Sequence, residues 1–122
     1  MSGKRSILKE RSFTFALDVI EMYKMINKQH REYVMSKQML RSGTSIGANI
    51  REAQNAQSNA DFIHKLYIAQ KECDETMYWL ELLLRSRYIE NKLFNHLSTQ
   101  AQEILRMLKS AILTTKQKTH RQ

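Results

Sequence analysis

The side chains that most often carry catalysis or hold metals are few and scattered in this sequence. Its 122 residues include four histidines and one cysteine. Asp61 and His64 give the nearest approach to the paired Glu-x-x-His motifs of di-iron bundles. One cysteine cannot supply a zinc site built on two or more thiolates. We therefore predict no metal site, no cofactor, no catalytic residues and no enzyme activity; a metalloenzyme is the least favoured alternative.

The one cysteine, Cys73, has a sequence context that suits packing. A reactive thiol needs exposure and a lowered pKa, whereas Glu72, Asp74 and Glu75 surround this thiol with negative charge. It also falls on the apolar stripe of a predicted helix, where a free cysteine acts as a small hydrophobic residue. A lone cysteine forms no intrachain disulfide, so we expect a reducing, cytoplasmic location. No apolar run approaches the length of a membrane span.

The elements that position these residues are predicted to be helices. The sequence has no proline and three glycines, whereas sheets need many tight turns built on such residues. Apolar residues recur with the 3.6-residue helical period. We therefore predict an all-α fold, an antiparallel up-down-up-down four-helix bundle in one domain over residues 1–122. The predicted helices span about 12–28, 35–56, 59–87 and 91–115, and a polar, frayed tail follows at 116–122.

The spacing within each helix also predicts which residues form the core. Ser12 is the expected N-cap of the first helix, whose broad apolar face includes Phe13, Leu17 and Val19. The third helix is expected to bury a heptad seam, formed by Phe62, Leu66, Ala69, Cys73, Met77, Leu80 and Leu84.

A line of polar residues runs beside the apolar stripe of the second helix. Its members are three or four residues apart and therefore share a face; they are Gln38, Arg41, Ser45, Asn49 and Glu52. The favoured interpretation is a hydrogen-bonded seam that fixes the register of a neighbouring helix. A ridge that contacts a ligand or RNA is the alternative, and an active site is a third.

Two features suggest a contact between subunits. Glycines four residues apart inside a helix destabilise it, which indicates close approach of another backbone. The third helix is apolar over more than half of its circumference, so it needs more neighbours than one small chain offers. The interface candidates are Gly43, Gly47, Tyr67, Tyr78, Trp79 and Leu82. Variation of the core within the monomer is the alternative.

The formal net charge of +8 permits binding to a polyanion. The basic surplus lies in residues 1–57 and 90–122. Candidate contacts to nucleic acid are Lys4, Arg5, Lys9, Arg11, Lys37, Arg41, Arg51, Lys116 and Lys118. The alternative is that these charges are solvated and keep the protein soluble.

The middle of the chain resembles a known family. The segments RSGTSIGANIREA (41–53), SNADFIHKLYIAQKECDET (58–76) and YWLELL (78–83) are similar to the 23S ribosomal RNA intervening-sequence proteins, also called the S23 family. The family pattern, roughly Arg-x-x-x-Ser-Ile-x-x-Asn-Ile-x-Glu, maps onto Arg41, Ser45, Ile46, Asn49, Ile50 and Glu52. Many members of the family have glycine after the Glu-Ala or Ala-Glu step that follows, whereas this chain has Ala53-Gln54, so it carries a variant of the motif. The resemblance implies a four-helix bundle. A distant resemblance, to the accessory protein of diversity-generating retroelements, implies a basic homopentamer that works with nucleic acid.

Two functions are consistent with these observations. The first is a non-enzymatic, oligomeric bundle that binds RNA or DNA through phosphate contacts without reading sequence. The second is an adaptor that docks a partner protein through Tyr67, Tyr78, Trp79 and Leu82.

Overall fold

The computed structural model describes residues 3–121, except for the side chains of Lys4, Ser6 and Arg121. It has four helices: α1 (Gly3–His30), α2 (Met35–Gln54), α3 (Asn59–Arg85) and α4 (Asn91–Arg121). No strand occurs within these residues. Each helix packs against two others in the cyclic order α1, α2, α3, α4. The predicted all-α four-helix fold is confirmed.

Side-chain contacts show that consecutive helices run in opposite directions. Between α1 and α2, Gln54 donates to the backbone oxygen of Arg5, while Ser36 near the start of α2 meets Asn27 near the end of α1. The same reversal occurs between the other three pairs of neighbouring helices. For α2 and α3 it is shown by Glu52–Lys65 and Arg41–Glu72, and for α3 and α4 by Asn59–Thr119 and Cys73–Ala101. For α1 and α4 it is shown by Asp18–His96 and Arg11–Glu103. The chain therefore goes up and down in turn, with short connections.

The first helix begins nine residues earlier than its sequence predicted, so the assignment of Ser12 as N-cap is wrong. Ser12 is buried inside α1, and its hydroxyl donates to the carbonyl of Lys9 at 3.0 Å. Leu8 extends the core stripe into the basic start of the helix. The buried apolar residues of α1 are Leu8, Phe15, Val19, Met22 and Ile26. Phe13 and Leu17 lie outside this stripe and are exposed, contrary to prediction.

The predicted polar tail is helical over its described residues, up to Arg121, contrary to the prediction of a frayed end. It contains no residue that breaks a helix, and Thr115 is buried. The hydroxyl of Thr119 donates to the carbonyl of Thr115 at 3.0 Å and accepts from Asn59 at the start of α3. These contacts hold the end of α4 against α3. By contrast, α2 and α3 each end two residues earlier than predicted, and Arg87 after α3 adopts a left-handed conformation with φ of 69°.

The third helix buries a seam that differs from the prediction in two positions. Thr76 and Leu83 are buried, whereas Met77 and Leu84 are half-buried. Burial of Thr76 is tolerated because its hydroxyl donates to the carbonyl of Glu72 at 2.7 Å and lies 2.9 Å from the hydroxyl of Ser42 in α2. The buried α2–α3 contact thus contains a satisfied polar pair.

Candidate functional site

The antiparallel fold brings the two basic ends of the sequence to the same end of the bundle. The start of α1, the end of α2, the start of α3 and the end of α4 meet there. We call this region the basic end. The predicted nucleic-acid residues at this end whose side chains the structure describes are Arg5, Lys9, Arg11, Arg51, Lys116 and Lys118. Lys4 belongs to the same stretch of α1, but its side chain lies outside the described residues.

Contacts between all four helices hold the basic end together. The guanidinium of Arg5 lies 4.3 Å from the centre of the Phe62 ring, a cation–π contact from α1 to α3. The Nε2 of Gln54 donates to the backbone oxygen of Arg5 at 3.0 Å. The ammonium of Lys116 donates to the hydroxyl of Tyr67 and lies 5.1 Å from the centre of its ring. These contacts give the cations of this end a fixed framework.

The cations of the basic end differ in whether a carboxylate neutralises them. Arg11 is paired with Glu103 of α4. Lys9, Arg51 and Lys118 are exposed and have no carboxylate within 4.0 Å among the described side chains. Their charge therefore faces solvent, where an anionic partner can meet it.

Two of the predicted nucleic-acid residues lie away from this end. Lys37 is exposed in the first turn of α2, about 26 Å along the helix axis from Gln54 at the rise of an α-helix. Arg41 lies between the two ends, and α3 carboxylates occupy its guanidinium. The structure thus divides the predicted set into a clustered group and two separate residues.

The polar line of α2 forms a seam to α3 at two points. The guanidinium of Arg41 donates to Glu72 at 3.0 Å and also to Glu75. Hydrogen bonds from Trp79 and Arg41 outweigh partial burial and lower the pKa of Glu75. One turn from the end of α2, Lys65 of α3 donates to Glu52 at 3.0 Å. Arg41 and Glu52 therefore form the hydrogen-bonded seam to a neighbouring helix that the sequence favoured.

The remaining members of the polar line do not reach α3 by a hydrogen bond. Ser45 donates to the carbonyl of Arg41, and Asn49 donates to the carbonyl of Ser45 at 2.9 Å. Both bonds stay within α2. Gln38 is exposed. These residues contribute local hydrogen bonds at the edge of the contact.

Cys73 lies in the core with no exposed surface. Its thiol donates to the carbonyl of Ala101 in α4 at 3.2 Å. Burial, with a smaller contribution from Asp74, raises the pKa of the Cys73 thiol to about 12. The thiol is therefore neutral and enclosed, as the sequence predicted. Over residues 3–121, no three His, Cys, Asp or Glu side chains come together as metal ligands, and no helix is long and apolar enough to cross a membrane.

The two glycines of α2 face α1 of the same chain. A Cβ at Gly43 would lie 2.9 Å from the nearest side-chain atom of Val19, and one at Gly47 would lie 3.4 Å from Ser12. Gly43 is buried by this contact, so its assignment to a subunit interface is wrong. The close approach that the glycines predicted is the contact between α1 and α2.

An apolar groove runs over the surface where α1 and α2 meet, and the sequence did not identify it. We call it the α1–α2 groove; it has a volume of about 560 Å³, and its apolar and small residues are Phe13, Ala16, Ile20, Thr44, Gly47 and Ala48. Its polar lining includes both signs of charge and consists of Lys9, Ser12, Arg51, Glu52 and Asn55. The exposed fraction of Phe13 is 54%, and that of the neighbouring Leu17 is 49%.

A second apolar surface lies on the outer side of α3. We call Tyr78, Trp79 and Leu82 the α3 strip. Tyr78 is 59% exposed, its ring contacts that of Trp79 edge to face at 5.3 Å, and Leu82 is half-buried. Tyr67 is about 16 Å away along the helix axis, against Lys116. The predicted aromatic surface is therefore smaller than expected, because Tyr67 belongs to the basic end.

Comparisons with known proteins agree with the fold. The family model described as 23S rRNA-intervening sequence protein matches residues 4–110. The crystal structure of a protein of unknown function from the S23 ribosomal protein family of Bacteroides thetaiotaomicron superimposes with a TM-score of 0.85. The two sequences are 52% identical, and the match covers 86% of this chain and 97% of the other. None of the curated proteins matches this sequence.

Proposed function

Because the chain belongs to the 23S rRNA-intervening sequence protein family, we propose that it is a non-enzymatic, cytoplasmic protein that binds RNA or DNA through the basic end of its bundle. The observation that carries this proposal is the meeting of the N-terminal and C-terminal basic clusters at one end. Those clusters are more than a hundred residues apart in the sequence.

The chemistry of the basic end suits contact with phosphate and not with base edges. Lysine and arginine side chains bind phosphate oxygens, which raises affinity without selecting a sequence. Lys9, Arg51 and Lys118 have no acidic partner among the described residues, so binding requires no internal ion pair to break. The overall charge of +8 adds a long-range attraction.

Self-association is part of this proposal. A single subunit offers a few free cations, whereas several subunits would combine their fields over one larger surface. We propose a homo-oligomer, and the resemblance stated above favours five subunits. The exposed apolar residues of α1 and α3 support contacts between copies.

Salt dependence tests the nucleic-acid part of the proposal. Fluorescence anisotropy would measure the affinity of the full chain for a labelled structured RNA and a labelled duplex DNA at several salt concentrations. We expect the logarithm of the association constant to fall linearly with the logarithm of salt concentration, because phosphate neutralisation releases counterions. Absence of binding to both probes at low salt would reject this function.

A protein-interaction adaptor is the second candidate, and the exposed ring of Tyr78, in contact with the half-buried Trp79, favours it. Aromatic residues of this kind anchor protein interfaces. In that case the basic charge would serve solubility. A Tyr78→Glu variant that binds nucleic acid with unchanged affinity but loses a partner protein would support the adaptor.

A further inference from the structure

We propose that the ring of Tyr67 stacks on an unpaired base, so that the preferred ligand of the basic end is a single-stranded segment of RNA or DNA. This inference rests on the nucleic-acid binding proposed above and names the class of ligand that the same site takes. Tyr67 is 39% exposed at the basic end. Aromatic side chains bind nucleic acid by stacking where bases are unpaired and their faces are accessible.

The lysine that contacts Tyr67 leaves the faces of its ring uncovered. The ammonium of Lys116 lies 2.5 Å from the hydroxyl oxygen of Tyr67 and 5.1 Å from the centre of the ring. These two distances differ by nearly the distance from the ring centre to its own hydroxyl oxygen. The ammonium therefore lies beyond the hydroxyl and close to the ring plane, where it holds the edge of the ring and not a face.

The surface beside Tyr67 supplies cations for the phosphates next to a stacked base. Lys71 follows Tyr67 by four residues on α3 and therefore shares its face. Lys109 precedes Lys116 by two turns on α4. All three lysines are exposed, and none has a carboxylate within 4.0 Å among the described side chains. Single-strand binding proteins combine an aromatic platform with positive charge in this way.

Charge distinguishes Tyr67 from the other exposed tyrosine of α3. Glu103 is the one acid of α4, and a cation of α1 neutralises it. On the face of α3 that Tyr67 occupies, the nearest acid is Asp74, about 10 Å further along the helix axis. Tyr78 is more exposed, at 59%, but it lies one turn from Asp74 and one turn from Glu81. Those acids repel phosphate, so the surroundings of Tyr67 alone suit a nucleotide.

Stacking agrees with the phosphate chemistry of the basic end. Every base has a face that stacks, so a tyrosine adds affinity without reading base edges. In a duplex these faces are already covered by neighbouring base pairs, and only the phosphates remain accessible to Tyr67 and its lysines. The same surface should therefore bind both forms through charge and prefer the single strand through the ring.

Fluorescence anisotropy with three labelled probes of equal length tests the proposal. The probes are an oligothymidylate, the same strand with abasic residues in place of thymidine, and a duplex DNA. The two single strands carry equal charge, so the difference between them measures contact with bases. We expect the full-length wild type to bind the oligothymidylate about tenfold more tightly than the abasic strand, the effect of stacking one base. Equal affinity for the two strands would overturn the inference.

Substitutions at Tyr67 assign that difference to its ring. Tyr67→Ala should weaken binding to the oligothymidylate about tenfold and change binding to the abasic strand and the duplex less than about twofold. The slope of its salt dependence should stay the same, because no charge is removed. Tyr67→Phe keeps the ring, loses the hydroxyl contact with Lys116 and should bind like wild type. Tyr78→Ala is the matched control on the same helix and should bind all three probes like wild type.

The outcomes separate this inference from the function on which it rests. A wild type that binds none of the probes at low salt overturns nucleic-acid binding and the inference together. Unchanged binding of Tyr67→Ala to the oligothymidylate overturns the inference alone. An equal loss for all three probes would assign Tyr67 a structural role and contradict stacking, as would a Tyr67→Phe variant as weak as Tyr67→Ala. The comparison of the two single strands uses wild-type protein, so it decides the inference even where Tyr67→Ala fails to fold.

Discussion

Gly43 of α2 lies against Val19 of α1 so closely that a Cβ at residue 43 would be 2.9 Å from a Val19 methyl group. Real Cβ atoms do not approach so near, and valine cannot move aside because its χ1 rotamer is restricted in a helix. The backbone of α2 therefore approaches α1 only because residue 43 has no side chain.

Alanine at the two glycines of α2 should have opposite effects. Gly43→Ala gains about 1 kcal/mol of helix propensity but overpacks the contact with Val19 at a cost of about 1 to 3 kcal/mol, so we expect a net loss. Gly47→Ala meets Ser12 at an ordinary contact distance of 3.4 Å and should be neutral or more stable by up to about 1 kcal/mol. Urea unfolding at one protein concentration measures both; a Gly43→Ala variant as stable as wild type would contradict the account.

Loss of the arginine between α2 and α3 should weaken the bundle modestly. Arg41→Met removes both ion pairs and leaves Glu72, whose side chain is 16% exposed, without its cation. We expect a loss of about 1 kcal/mol in the free energy of unfolding, since the pairs are partly solvated. Arg41→Lys should recover part of it, because an ammonium lacks the planar fork. Lys71→Met is the control: Lys71 is exposed on α3, so this substitution should change the free energy of unfolding little.

Glu32 holds the start of α2, and its ionisation should appear in the acid limb of stability. Its carboxylate accepts the backbone N–H groups of Val34, Met35 and Ser36 at 2.8 to 2.9 Å. Burial opposes ionisation, but these donors outweigh it and lower the pKa of Glu32. The stabilisation is therefore present above the unfolded pKa and is lost as pH falls through the lower folded value. At neutral pH, Glu32→Ala should lose about 1 kcal/mol, and the difference from wild type should shrink in acid. Glu10→Gln, at an exposed site on α1, should show no such pattern.

Cys73 should be inert in the folded protein. Burial raises the pKa of this thiol to about 12, so a disulfide reagent that attacks thiolate should react slowly at pH 8 and rapidly once urea unfolds the chain. The unfolded thiol ionises near its ordinary pKa while the folded thiol stays protonated. Stability should consequently decline as pH rises from about 8.5 toward 12. Equal reaction rates in the folded and unfolded states would refute the buried position.

The sequence predicted the four helices because their apolar periodicity is strong, but it misplaced the buried side of α1. The apolar residues of α1 are spread around more than half of the helix circumference, so periodicity could not separate the core residues Phe15 and Val19 from the exposed Phe13 and Leu17. The helical tail was missed for another reason. Its stability comes from contacts with α3, such as Thr119 with Asn59, which no local pattern reveals.

The clustering of cations at the basic end could be predicted from the sequence, but the ion pairs of Arg41 could not. Antiparallel topology alone places both chain ends at one end of the bundle, so clustering of Arg5 with Lys116 and Lys118 could be anticipated. The neutralisation of Arg41 by Glu72 and Glu75 could not be, because it depends on the register between α2 and α3.

The most direct measurement compares nucleic-acid affinity after equal charge removal at the two ends of the bundle. One variant carries Lys9→Gln, Arg51→Gln and Lys118→Gln at the basic end. The other carries Lys28→Gln, Lys37→Gln and Lys92→Gln at the opposite end, where all three side chains are exposed. The oligomeric mass of both should first be shown to equal that of wild type. Anisotropy with a labelled RNA should then give a basic-end variant with at least about tenfold weaker binding and a shallower salt dependence, while the opposite-end variant stays near wild type. Equal losses in the two variants, or a loss only in the second, would contradict binding through the basic end.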